Sequence, residues 1–256
     1  MVLLPVVDLD PELAALRPLG GFFVLRTAGA APAGCPPTTL ADAYATPPPD
    51  GHRDPLAARI ALVARRLRAP EPRVAVSVAQ QGLAARLWSA ALGCAARYGR
   101  LPDLDPRLLR WDPLASAPDD LWLAEVRALP WDPDLGTAIL HGHLEPLART
   151  LTARYGIAAG LLWGNAGSAL AGAARELDRW ARAHGRGDVA ERAHALTDAL
   201  FAHPLLRPTG TRTRTGTAFR RRSCCLYYRV PGGGVCGDCC FTRPPRSSPG
   251  AASGRP

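Results

Sequence analysis

"GIAAGLLWGNAGSALAGAARELDRWARAHG" spans residues 156–185, and its reading decides the fold class. Its first half is rich in glycine and alanine, with no charge before Arg175; its second half is charged. Small residues over several helical turns let another backbone approach closely, so the segment is expected to pack deeply at its start and to meet solvent at its end. The Gly-x-x-Gly spacing at Gly164 and Gly167 lies inside this helix and follows no strand, so it fails the context of a dinucleotide-binding loop.

Helical signals dominate on both sides. "RVAVSVAQQGLAARLWSAALGCAARYG" (73–99) predicts a long, mostly buried helix, or two. Residues 55–68 set Leu56, Ile60, Val63 and Leu67 on one face opposite the arginines, and further helices are expected at 10–17, 137–155 and 188–202, the last closed by Pro204 and Pro208. "GGFFVLRTAG" (20–29) and "LWLAEVRAL" (121–129) read as strands, and residues 30–54 as a Pro- and Gly-rich loop. The fold class is therefore α+β, predominantly α-helical: a helix-rich body over residues 1–204, a cysteine-rich segment over 205–241, and a tail over 242–256 with almost nothing to bury, expected to be disordered.

Charge is distributed unevenly. All 31 basic residues are arginine, which with abundant Ala, Gly and Pro reads as compositional bias and not as a nucleic-acid signal; no nucleic-acid partner is expected. Residues 1–204 hold 21 arginines against 21 acidic residues, whereas residues 205–256 hold 10 arginines and a single acid, Asp238. The start of the chain has no basic leader region and meets Asp8 and Asp10 early, and no stretch approaches the roughly 18 apolar residues of a membrane span. A cytoplasmic location is expected, where thiols stay reduced and clustered cysteines suggest metal before disulfide.

Five of the seven cysteines fall within "RRRSCCLYYRVPGGGVCGDCC" (220–240), while Cys35 and Cys94 read as incidental or buried thiols. Cys224 and Cys225 are adjacent; ten residues later comes Cys236, and two after that Cys239. Cys236-Gly237-Asp238-Cys239 has the form of a metal hairpin, and "LYYRV" has strand character, so a hairpin carrying cysteines at both ends is expected. The vicinal pair is awkward for one small ion, because adjacent residues of an extended chain point to opposite sides; a two-iron cluster accepts thiolates at either iron.

The string "RRRSCCLYYRVPGGGVCGDC" resembles the C-terminal signature of the FhuF-type ferric-siderophore reductases, Cys-Cys-x10-Cys-x2-Cys, and "LLWGNAGSALAGAAR" (161–175) and "GLAARLWSAAL" (82–92) are similar to other segments of that family. The resemblance implies a 2Fe–2S cluster on Cys224, Cys225, Cys236 and Cys239, a ferric siderophore as substrate, and one-electron reduction of its iron, with the electron taken from a ferredoxin- or flavodoxin-like donor. It also suggests Asn165 and Ser168 as lining of the siderophore pocket, with helix packing an equal explanation of the small residues there. Cys240 departs from the pattern, standing where an aliphatic residue is expected; it is a spare thiol or displaces Cys239. Arg220, Arg221, Arg222 and Arg229 are placed in sequence to favour the reduced cluster or attract an acidic donor, against the plain reading of a solvated basic segment. Tyr227 and Tyr228 either shield the cluster or simply pack.

Two other classes stay open. A zinc- or nucleic-acid-binding module would use the same cysteines and the basic tail, and a siderophore-binding or biosynthetic protein would share the region, although the chain shows no phosphate-binding loop for ATP. His141, His143 and Glu145 resemble a metal cluster but find no further ligand nearby, and read as surface residues.

Overall fold

The computed structural model describes residues 13, 15–27, 35–45, 54–127, 134–212 and 218–245. Half of the expected helix at 10–17, residues 30–34 and 46–53 of the expected loop, and the tail beyond residue 245 lie outside the described residues; within that loop Leu40–Tyr44 is helical. What is described is mainly helical, with short strands, as the sequence reading holds.

The helices run α1 (Leu40–Tyr44), α2 (Pro55–Leu67), α3 (Pro72–Tyr98), α4 (Glu145–Tyr155), α5 (Ala159–Ala183) and α6 (Gly187–Ala202). Local signals set their ends. In α1 the Thr39 hydroxyl caps the Asp42 amide and the Asp42 carboxylate reaches back to the Thr39 amide, a reciprocal capping box. In α2 the Asp54 carboxylate accepts from the Ala57 amide ahead of Pro55 at the first turn. Gly99 and Gly156 end α3 and α4 in the left-handed conformation.

The core is α3 laid against α5. α3 is a single helix of 27 residues, and its middle and C-terminal parts are buried on nearly every side, from Leu83 to Ala96. The apolar half of α5 packs against it, and the charged half carries Asp178–Arg182 and Glu176–Arg179 pairs on the surface. The glycines do what the sequence suggests. A β-carbon at Gly167 would lie 2.5 Å from the Thr209 hydroxyl and 3.2 Å from the Phe219 ring, and one at Gly164 would lie 2.0 Å from the Ser223 hydroxyl. What approaches α5 there is the hairpin of β4 (Gly210–Arg212) and β5 (Phe219–Arg221), paired antiparallel with Gly210 opposite Arg221.

A second, three-stranded sheet is ordered β1 (Arg26–Thr27), β3 (Leu121–Leu123), β2 (Leu109–Trp111), with β1 parallel to β3 and β2 antiparallel to it. Both strands expected here are shorter than the sequence reading. Residues 20–24 are turns and only 26–27 pair; 121–123 pair, and the strand stops before residues 124–125. The turn is fixed by Arg86 of α3. Its Nε donates to Asp120 Oδ1 at 2.8 Å, Nη2 to the Val24 carbonyl at 2.8 Å and Nη1 to the Phe22 carbonyl, so a buried guanidinium spends its donors on the backbone that a strand would have used.

The helix expected at 137–155 runs continuously, but its first part, Gly136–Leu144, is wound as a π-helix before α4 begins. Pro146 explains this: in an α-helix its ring would press on the carbonyl four residues back, and wider winding removes the clash.

The contrast between two glycines of α5 gives a test. Gly167→Ala should lose roughly 1–3 kcal/mol by overpacking against Thr209 and Phe219. Gly172→Ala, whose β-carbon meets nothing nearer than an Arg175 nitrogen at 3.8 Å, should gain up to about 1 kcal/mol from helix propensity. Thermal unfolding of the two variants should move in opposite directions.

Candidate metal centre

The cysteine segment is not the strand hairpin expected from "LYYRV". Leu226 takes a left-handed conformation, φ 66°, directly after Cys225, and Tyr227–Arg229 coil into a 3-10 turn. The chain then folds back tightly: the Gly233 amide donates to the Val230 carbonyl at 2.7 Å, and a β-carbon at Gly233 would strike the Tyr227 carbonyl at 2.4 Å. Only glycine fits there. A pleated strand cannot turn this sharply, so the pairing moves upstream to β4 and β5.

This folding gathers all five thiols. Cys225 and Cys236 have their sulfurs 3.6 Å apart, and the sulfurs of Cys224, Cys239 and Cys240 all lie within 4.8 Å of one another. Cys225 is buried and the other four are half-buried. Backbone amides point at the sulfurs: Leu226 donates to Cys224 at 3.2 Å and Phe241 to Cys239 at 3.4 Å. Cys225 is the thiol held furthest below its ordinary range, because Cys224 and Cys236 donate to it, with the Tyr227 amide and the Arg221 charge adding to the effect against burial. Cys224 and Cys236 are pushed up in turn, first as donors to Cys225 and then by burial. Burial also raises Cys240. Cys94 is in the core, and Cys35 lies half-buried elsewhere in the chain.

Arg221 separates itself from its neighbours in the arginine run. Arg220 and Arg222 are exposed, whereas Arg221 is 2% exposed. Its Nη2 donates to Asn165 Oδ1 at 2.5 Å, and its Nε and Nη1 have no hydrogen-bond partner among the described residues. Its charge favours the thiolate forms of Cys225, Cys236 and Cys240. Buried guanidinium nitrogens without acceptors, beside converging sulfurs, suit an anionic group held by those sulfurs. Arg229 is occupied differently, with Glu71 at the start of α3 and with the Tyr228 hydroxyl. Tyr228 packs edge-on against Phe241, and Tyr227 is exposed.

A polar network missed by the sequence reading seats this site on the core. Asn165 Nδ2 donates to the Ser77 carbonyl at 2.9 Å, to the Ser77 hydroxyl at 3.0 Å and to Gln80 Oε1 at 2.9 Å; the Ser77 hydroxyl donates to the Cys225 carbonyl at 2.8 Å. Asn165 is fully buried, and its amide oxygen, fixed by these bonds, accepts from Arg221. Lower on α5, Ser168 donates to Asp238 Oδ2 at 2.6 Å, and Arg175 pairs with both Asp238 oxygens, at 2.9 and 3.1 Å. The one acid of the basic segment thus clamps the Cys236–Cys239 loop onto α5. The visible signal was the spacing of Asn165, Ser168, Gly172 and Arg175, one stripe of a helix, facing Ser77 and Gln80 one turn apart on α3.

Beside the clamp lies a cleft of about 500 Å³. Ser168, Gly172 and Arg175 of α5, Gln81 of α3 and the Phe22 turn form its walls, and Cys236 closes one side, the only one of the five clustered cysteines to reach it. Ser168 lines this cleft.

The histidines divide. His141 is exposed and pairs with Glu145 at 3.0 Å, as a surface residue should. His143 is a correction: it is fully buried, donating from Nε2 to the Leu104 carbonyl at 2.6 Å and accepting the Tyr44 hydroxyl at Nδ1, 3.0 Å. Burial lowers its pKa to about 4. The folded form thus keeps it neutral while the unfolded chain takes up a proton near pH 6.5, so its contribution to stability is full above about pH 6.5 and is lost as pH falls towards 4. Denaturant unfolding should lose up to about 1.4 kcal/mol per pH unit across that window, and His143→Asn should flatten the slope.

The comparisons with known proteins agree with this picture. Residues 67–215 match the model of the ferric iron reductase FhuF-like transporter family, and residues 221–241 match the FhuF 2Fe–2S C-terminal domain. No curated protein matches the chain. The chain belongs to the FhuF-like ferric iron reductase family and carries the family's 2Fe–2S domain at its C-terminal end. Among the described residues no helix is long and apolar enough to cross a membrane.

Proposed function

We propose that this chain is a ferric-siderophore reductase in which Cys224, Cys225, Cys236 and Cys239 hold the cluster and the cleft beside Cys236 receives the ferric siderophore. Arg221 carries the reading: a buried guanidinium in the cysteine segment keeps two donors without a partner among the described residues, which suits an anionic iron–sulfur group better than a neutral thiol cluster. When bound, the cluster supplies a one-electron relay, and no general base or nucleophile is needed.

The chain's own residues do the rest. Cys225 with Cys236, 3.6 Å apart, and Cys224 with Cys239 would each supply two thiolates to the cluster, which would let the members of the vicinal pair serve different irons. Arg221 sets a fixed positive charge against the electron that arrives, which favours the reduced state. Asp238, held by Ser168 and Arg175, keeps Cys236 at the cleft wall. The cleft has the volume of a small-molecule site, with an apolar wall at Phe22 and polar groups at Gln81, Ser168 and Arg175. Siderophore iron held there by hard oxygen ligands loses charge and gains size on reduction, so its ligands release it. On the outer face Tyr227, Val235 and Phe241 are exposed in the same segment as Arg220 and Arg222, which suits an acidic ferredoxin- or flavodoxin-like donor.

Anaerobically purified protein should be brown and hold about two irons and two sulfides per chain. Once reduced and mixed with a ferric siderophore, it should deliver ferrous iron to a ferrous-specific chelator, and Cys225→Ser should abolish both properties. Zinc in place of iron and sulfide would sink the reading. Arg221→Leu should lower the reduction potential by tens of millivolts, roughly, while Arg221→Lys retains most of the wild-type value. An unchanged potential in the Leu variant removes Arg221 from this role.

A further inference from the structure

Five thiols converge on a site with four ligand positions. The surplus falls on one side: Cys225 lies 3.6 Å from Cys236 and is also hydrogen-bonded to Cys224, whereas Cys240 belongs to a trio with Cys224 and Cys239, all sulfurs within 4.8 Å. Within the trio the roles differ. Cys224 and Cys239 each accept a hydrogen bond from the amide two residues ahead, Leu226 and Phe241, as thiolates bearing charge do. The Cys240 sulfur meets its own backbone amide and the Cys239 thiol, so it stands next to the ligand whose position it would take. Its backbone is nevertheless held in place, the carbonyl accepting from Arg220 Nη2 at 3.1 Å, and the side chain is half-buried and not turned out to solvent.

We infer that Cys240 is a resident reserve ligand: when Cys239 leaves its iron, the Cys240 thiolate takes the position. The inference rests on the proposed assignment of the cluster to Cys224, Cys225, Cys236 and Cys239. The exchange breaks one iron–sulfur bond at Cys239 and forms one at Cys240; the Cys240 proton passes to the departing Cys239 sulfur or to water, and no electron changes hands. Because the surplus thiol sits only with the trio, the reserve serves the Cys224 iron and leaves the Cys225–Cys236 iron without cover. Redundancy is therefore asymmetric, and a symmetric, merely crowded cysteine patch would not show that.

Alanine variants test this, since alanine cannot ligate as serine can. Iron, acid-labile sulfide and the electron paramagnetic resonance of the reduced protein would be read after anaerobic purification, with far-ultraviolet circular dichroism as the check on folding. Cys239→Ala and Cys240→Ala should each keep about two irons and two sulfides, with a shifted resonance only in Cys239→Ala. Cys236→Ala and the double variant Cys239→Ala/Cys240→Ala should both lose the cluster while remaining folded. A cluster lost from Cys239→Ala to the same extent as from Cys236→Ala overturns the inference. So does the reverse pattern, in which Cys240→Ala loses the cluster or alone shifts the resonance, because Cys239 would then be the reserve. Wild-type protein without iron and sulfide would instead overturn the underlying cluster assignment.

Discussion

A buried arginine with one partnered nitrogen end is the constraint around which the rest of the structure is arranged. Taking a guanidinium out of water costs several kcal/mol unless its donors find acceptors, and the protein satisfies only Nη2 of Arg221, through Asn165. Everything near it serves that one hydrogen bond. Asn165 is itself fixed by Ser77 and Gln80, so its oxygen must face Arg221. Gly164 leaves room for β5 to come close enough for the contact. The small residues of α5 are thus explained twice, by packing against α3 and by admitting the strand that delivers the arginine.

From that anchor the thiol site follows by geometry. The backbone leaves Arg221, passes Ser223, sets Cys224 and Cys225 side by side, reverses at Leu226 and returns to place Cys236 against Cys225. The Arg221 amide donates to the Asp238 carbonyl at 2.9 Å, so the strand that carries the arginine also holds the returning loop. Cys236 then faces the thiols on one side and the cleft on the other, which makes it the shortest covalent route between the two.

The long helices were legible because each carries its own evidence. The 55–68 face begins at Asp54-Pro55, and the 188–202 segment is closed before Pro204, so period and caps agree. The cysteine spacing was legible for the same reason, as a local pattern. The strands were legible only in part: Phe22 to Leu25 have strand composition, but Arg86 takes the Phe22 and Val24 carbonyls, and only Leu121 to Leu123 of the second run pair, a tertiary effect no window of sequence contains. Nor was the difference among Arg220, Arg221 and Arg222 visible: three identical residues alternate across a strand, and only the docking of β5 on α5 decides which one is buried. His143 went unread for a similar reason, since its partners Tyr44 and Leu104 come from distant segments.

The stripe Asn165, Ser168, Gly172, Arg175 has a consequence for how such a chain tolerates change in length. One helix holds the arginine with its upper residue and the Cys236–Cys239 loop with its lower ones. Inserting a single residue between Asn165 and Ser168 would turn everything beyond it by about 100°. The arginine anchor and the loop clamp would then face different sides of the helix, and the two halves of the thiol site would lose their common frame.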